Sequence, residues 1–421
     1  MKKLYAFFEN TRIGVLKKDD DDVYSFTYEK SWREDKRAFP ISLAMPLDQQ
    51  VFGNKHTLAY FENLLPEGQV RRDLEAAKKI TGVYDFLAAF GSECAGSIIL
   101  TDQSDYAPPS GSPELVPIEL KHVYKAIEER HSVAEVISES IPGYLSIAGA
   151  QDKFPAIYQG GKFFLPKKNY PTTHIVKVPI WRQGVKESVY NEQYCMELAR
   201  AVNLNVPKCE VVDGPYPLFV IERYDRQINA DGSIHRIHQQ DFCQALGYLS
   251  NQKYEAKGGP SFEQNYRLLI QYISPTHRLA SIERLLDWAC FNLIIGNNDS
   301  HSKNLSLLLQ QGNKYSLAPF YDLISTAIYP KLDRRFSFLI GDQDEFSKIG
   351  KNQISQFEAV LGIKQGVFRN RLDRMIEAIA KSHRDLAAEF QQRFPKSKIA
   401  IIIADLIDDR VKSLKLQRAV D

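Results

Sequence analysis

The apolar run WACFNLII stops at Gly296, and GNNDSHSKN carries the chain on to Asn304. An unbroken apolar run must be buried. A cluster holding Asp299, His301, Lys303 and Asn304 is buried only at a cost unless each polar group finds a partner. At a glycine the chain moves abruptly from core-like residues to a dense polar cluster. Polar clusters in such places cap helices. They also hold a catalytic base beside a metal ligand. The remaining sequence separates the two readings.

The chain has 421 residues, 44% hydrophobic and 25% charged, which are globular values and suit two or three domains. A net charge of +2 supplies no field that would select nucleic acid or acidic lipid. No apolar run reaches membrane-spanning length, so no membrane partner is expected. The opening MKKLYAFFENTRIGVL is basic at first, but Glu9, Asn10 and Arg12 break its apolar part, against a signal peptide. Five scattered cysteines without a CxxC pair fit a reducing cytoplasm.

The first hundred residues read as strands and turns. KLYAFFEN and RIGVLKK form a hairpin, and the acidic run Asp19 to Asp22 is a solvated turn. YFENLLPEGQVRRDLEAAKKI is helical, with Val70, Leu74 and Ala77 on one stripe. TDQSDYAPPSGSPELVP, rich in Pro, Ser and Gly, marks a linker. Beyond Pro142 come the hairpin KFPAIYQGGKFFLP, the strand THIVKV, the helix ESVYNEQYCMELARAV and the strands CEVVDG and YPLFVIERYD. Helices prevail from Asp241 onward. The expected organisation is a strand-rich N-terminal module (1–105), a strand-rich lobe (115–225) and an all-α C-terminal lobe (226–421). Together they make an α+β, bilobal, protein-kinase-like fold with a cleft between lobes.

Asp299 and Asn304 have the D-x-x-x-x-N spacing of a kinase catalytic loop. Such an Asp orients the attacking hydroxyl, and the Asn reaches a Mg²⁺ on the phosphates. LSLLLQQGNKYSLAPFYD then returns as strand, turn and strand to Asp322, a second hard oxygen ligand. Lys177 lies inside the apolar strand HIVKV, where it must snorkel or find a partner. Glu192 shares a helical stripe with Val189, Met196 and Ala199 and points inward. The strand ending at Glu222, Arg223 and Tyr224 is placed to meet an adenine through its backbone.

Six stretches occur in the order of one family: SIAGAQDKF (146–154), PTTHIVKVP (171–179), NEQYCMELARAVNLNVP (191–207), ERYDR (222–226), DSHSKN (299–304) and PFYDLIS (319–325). FENLLPEG in the first hundred residues completes the set. The sequence resembles the HipA family of serine/threonine kinases, the toxin half of HipBA-type toxin–antitoxin pairs. The resemblance implies ATP and Mg²⁺ as cofactors and Asp299 as catalytic residue. It implies Asn304 and Asp322 as metal ligands, with Glu192 supporting Lys177. It places ATP against Ala148, Gly149, Ala150, Gln151, Asp152, Lys153, Lys177, Glu222, Arg223, Tyr224, His301, Ser302, Lys303, Asn304, Tyr321 and Asp322. It marks Ser146 for autophosphorylation that shuts the enzyme off. The implied partners are a protein substrate, an aminoacyl-tRNA synthetase such as glutamyl-tRNA synthetase, and a HipB-type helix-turn-helix antitoxin through which DNA is met only indirectly. By its residues alone, SIAGAQDK reads as an ordinary turn, since it has one Gly where a phosphate loop usually has several. Two other functions compete. One is a small-molecule or lipid kinase, whose loop is similar. The other is a catalytically silent corepressor bound to a DNA-binding antitoxin. ATP turnover separates them.

Overall fold

The computed structural model describes residues 1–109, 111–140, 148–167 and 170–419. The chain forms two compact units. One comprises Met1–Val178, Val212–Asn251 and Ser306–Tyr315, and the other comprises Pro179–Val211, Gln252–Leu305 and Ser316–Asp421. The expected N-terminal module thus shares a unit with most of the strand-rich lobe.

Two larger antiparallel sheets, beside smaller ones, lie in the first unit. In one the spatial order is Val51–Phe52, Tyr24–Tyr28, Thr11–Lys18, Lys2–Phe8 and Ile98–Thr101. Leu4 faces Leu16 and Leu16 faces Phe26, so one side of this sheet is continuously apolar and fully buried. The acidic run is a turn as read: the Asp19 carboxylate accepts the Asp21 and Val23 amides at 3.0 and 2.8 Å. In the helix Gly68–Lys78, Val70 and Leu74 are buried, but Ala77 is exposed and off the expected stripe.

In the other, a six-stranded sheet, Cys209–Val212, Leu218–Glu222, His174–Lys177, Lys153–Gln159, Lys162–Pro166 and Leu115–Pro117 follow one another in that order. Gly160 and Gly161, at φ of 57° and 73°, form the two-residue turn that joins Gln159 to Lys162. Two helices that the sequence reading passed over, Leu120–Glu129 and Val133–Ser140, put Val123, Ile127, Val133 and Ile137 into the same core as Phe154, Val176 and Val220.

His238 is buried in this unit, stacks near Phe39 and meets the Ile41 carbonyl through Nε2 at 3.0 Å. Burial pushes its pKa down to about 4 from an ordinary 6.5. The unfolded chain takes up this proton first, so the fold loses stability as pH falls from about 6.5 to about 4. A His238→Phe protein should show a shallower fall in melting temperature over that window.

The second unit is mostly helical. Its 21-residue helix Pro275–Ile295 starts with Pro at its first turn and is buried along its last turns. Gly296 ends it at φ 73°, and a Cβ there would stand 2.7 Å from the Ala327 side chain. Arg410 donates to the Leu293 carbonyl at 2.7 Å, closing the helix end with a buried cation. The expectation of an all-helical stretch from 226 onward does not hold in detail. Strands Arg335–Ile340 and Gln343–Glu345 pair in this unit, and Gln239–Asp241 pairs with Ser306–Gln310 in the other. Among the described residues, no helix is long and apolar enough to cross a membrane.

Candidate active site

The loop after Gly296 is a closed hydrogen-bonded structure in the second unit. The Asn304 amide donates through Nδ2 to the Asp299 carbonyl at 3.0 Å, and the His301 amide donates to the same oxygen at 3.0 Å. The D-x-x-x-x-N spacing is therefore the span that lets the Asn fold back onto the Asp. This bond commits the Nδ2 end of Asn304 and leaves Oδ1 as the end suited to a cation. Asp299 keeps a side chain 54% exposed, and the Tyr254 hydroxyl donates to its Oδ1 at 2.6 Å. His301 Nε2 lies 4.0 Å from the same oxygen, and its ring meets Tyr254 edge-on.

Asn297 ties this loop to Asp322. It is buried, its Oδ1 accepts the Asp299 amide at 3.3 Å, and its Nδ2 donates to the Asp322 carbonyl at 3.2 Å and to Asn292 Oδ1 at 2.8 Å. One side chain thus fixes Asp299 and Asp322 together. Asp322 sits at φ 58°, the left-handed region where Asp and Asn are tolerated. Beyond it, the buried Asn191 grips Ser325, donating to its carbonyl at 3.0 Å and accepting its amide at 2.8 Å. Tyr321 donates to the Lys303 carbonyl at 2.8 Å. Ser302 is buried with its hydroxyl turned to Asn265. Glu192 is buried with Val189, Met196 and Ala199, on the inward stripe that its spacing predicts.

The first unit brings the predicted lysines together. Lys153 and Lys177 are register partners on adjacent strands, and both are buried. Lys153 Nζ donates to the Ala148 carbonyl at 2.8 Å, and Lys177 Nζ stands 5.8 Å from the centre of the Phe219 ring. Gly149 sits at φ 119°, a backbone conformation that favours glycine, and a Cβ there would stand 2.7 Å from the flexible end of Lys153. Gln151 donates to the Val178 carbonyl at 2.8 Å. Asp152 turns its carboxylate to the start of the helix Val133–Ser140, accepting the Val133 amide at 2.7 Å, and burial raises its pKa to about 6. Its side chain is a helix cap. Ala150 is exposed, and Ser146 lies outside the described residues.

At the strand end, Glu222 is exposed, while the Arg223 amide is already bonded to the Thr173 carbonyl at 2.9 Å. The Tyr224 hydroxyl goes to Gln239 at 2.6 Å. The Arg223 guanidinium is buried among ions. It meets Glu93 at 2.8 Å and Asp225 at 2.9 Å; Arg236 meets Glu93 at 2.7 Å, and Arg226 meets Asp225 at 2.8 Å. These charges hold the Glu93 pKa down to about 2 against its burial.

The fold and this loop chemistry define an α+β chain of kinase-like fold. Residues 4–101 match the HipA N-terminal domain, and residues 145–384 match the HipA-like C-terminal domain. The chain belongs to the HipA family, the HipA-type toxin kinases. It is 31% identical to Y4mE of Sinorhizobium fredii, with 99% of each chain covered. It is 29% identical to the serine/threonine-protein kinase toxin HipA of Shewanella oneidensis, covering 88% of this chain and 86% of that one. The solved structure of Shewanella oneidensis HipA with HipB and its operator DNA matches with a TM-score of 0.81 at 26% identity, covering 98% and 97% of the two chains.

Proposed function

We propose that this chain is an ATP- and Mg²⁺-dependent protein serine/threonine kinase. The carrying observation is the half-exposed Asp299, fixed through Asn304 and Asn297 while its Oδ1 already accepts a hydroxyl hydrogen bond from Tyr254. An acceptor serine placed like that hydroxyl has its proton directed at a carboxylate. Its oxygen then forms the new bond to the γ-phosphorus as the bond to the ADP oxygen breaks, and the proton passes to Asp299. Lys153 and Lys177, two buried cations side by side, offer the charge that phosphates need. Asn304 Oδ1 and the Asp322 carboxylate are hard oxygen donors of the kind Mg²⁺ takes, with water completing its shell. When bound, the ion neutralises phosphate charge. No group of three or more His, Cys, Asp or Glu suited to a metal occurs among the described residues.

The protein target is in the class of aminoacyl-tRNA synthetases, glutamyl-tRNA synthetase being the first candidate. A HipB-type antitoxin is the partner, as for the relative solved with HipB and operator DNA. Ser146 is the autophosphorylation site. Labelled ATP with purified chain and candidate acceptors tests the reading. Transfer to protein is the expected result. Label on a metabolite or lipid would make it a kinase of another class, and no turnover would make it a silent corepressor. Intact mass should show one phosphate on active protein and none on Asp299→Asn protein.

Asn304→Ala and Asp322→Ala should each raise the Mg²⁺ concentration needed for half-maximal rate. The double variant should be little worse than either, because ligands of one ion act as a unit. Additive losses would assign them separate roles. Tyr254→Phe removes the hydroxyl that an acceptor must displace, so the acceptor KM should fall by up to roughly tenfold, the worth of one charge-assisted hydrogen bond. A raised KM would make Tyr254 an orienting group instead.

A further inference from the structure

We propose that the N-terminal module is a positioning element of the nucleotide site, gripping the phosphate loop through Glu67 and the ends of two strands through Glu93, a role that presupposes the ATP reading above. Two separate contacts carry it. Pro66 forms a parallel backbone bridge with Gly149, and the Glu67 amide donates to the Gly149 carbonyl at 3.0 Å. Gly149 holds a backbone conformation that strains any other residue, and Lys153 bonds to the carbonyl of its neighbour Ala148. The sequence FENLLPEG explains the reach. Its short helical turn Glu62–Leu64 ends before Pro66, and the next helix starts only at Gly68. Pro66 and Glu67 thus lie outside both helices, and the Glu67 amide, at extended φ, turns to Gly149.

The second contact is Glu93. Its Oε1 accepts the Thr172 amide at 2.9 Å as well as Arg223 at 2.8 Å. Thr172 stands just ahead of the strand His174–Lys177, and Arg223 just beyond Leu218–Glu222. A single carboxylate therefore pins the entry of the lysine strand and the exit of the adenine strand. Arg223 and Arg226 also donate to the Cys94 carbonyl at 3.2 and 3.1 Å, and Asp225 accepts the Gly96 amide at 2.7 Å. The segment from Glu93 to Gly96 is wrapped by the chain that follows the strand. Nucleotide affinity is then set partly by residues that touch no nucleotide.

The test uses the full chain carrying Asp299→Asn, titrated with a fluorescent ATP analogue. Glu67→Pro deletes the donor to Gly149 and should raise Kd roughly three- to tenfold, the worth of one hydrogen bond. In the Asp299 protein the same change should raise the ATP KM with kcat at saturation nearly unchanged. Glu93→Gln should also raise Kd, and Glu93→Asp, which keeps the charge, should raise it less. Hydrogen–deuterium exchange on the unsubstituted chain tests the coupling without any variant. Saturating nucleotide should protect peptides covering 62–70 and 90–97. Unchanged Kd in Glu67→Pro protein, or no protection in those peptides when the analogue is bound, overturns the proposal. If the parent chain fails to bind the analogue at all, the kinase reading fails with it.

Discussion

Asp299→Asn protein should lose phosphoryl transfer by a factor of roughly 10² to 10⁴ while melting where the parent melts. The side chain is half exposed, and the loop is closed through the Asp299 backbone, which the substitution leaves alone. Exposed changes of this kind alter stability by about half a kcal/mol or less. The amide still accepts from Tyr254 but cannot take a proton. Rate and melting temperature, measured on one preparation, check both halves. Full activity would remove Asp299 from the chemistry.

Arg223→Met should have the largest effect on stability. Arg223 and Glu93 have side chains only 1% exposed, so removing one partner leaves buried charge without its counterpart. Breaking a buried pair in this way costs about 3–5 kcal/mol. Urea unfolding should show it as a lowered midpoint. The same cluster predicts acid sensitivity. Glu93 has its pKa lowered from 4.5 to about 2, so its contribution is whole above 4.5 and is lost as pH falls through 2. A midpoint unchanged by Arg223→Met would mean that the neighbouring arginines replace it.

What the sequence discloses about this chain is whatever has a local pattern. The Gly160–Gly161 hairpin, the acidic turn, the inward Glu192 and the break at Gly296 each follow from periodicity or turn chemistry within a few residues. The helices Leu120–Glu129 and Val133–Ser140 escaped because they follow a Pro-rich stretch and are each only a few turns long. Asn297 was in view, inside the loop, yet nothing in its spacing tells that its amide joins Asp299 to Asp322. Tyr254 and Asn191 act on residues 45 and 134 positions away, and Glu93 on one 130 away. Such pairings leave no trace in a window of ten residues. Asp152 is the reverse case. The family resemblance puts its place in SIAGAQDK at the phosphates, while its carboxylate serves a helix that precedes it.

The strand Ser306–Gln310 completes a pairing begun by Gln239–Asp241, although Gln252–Leu305 between them belong to the other unit. A ribosome releases these partners in order, so the edge at Gln239–Asp241 waits unpaired while more than a helix's length of other chain is made. Open strand edges attract foreign strands. Nascent chains halted inside Gln252–Leu305 should therefore be clients of chaperones.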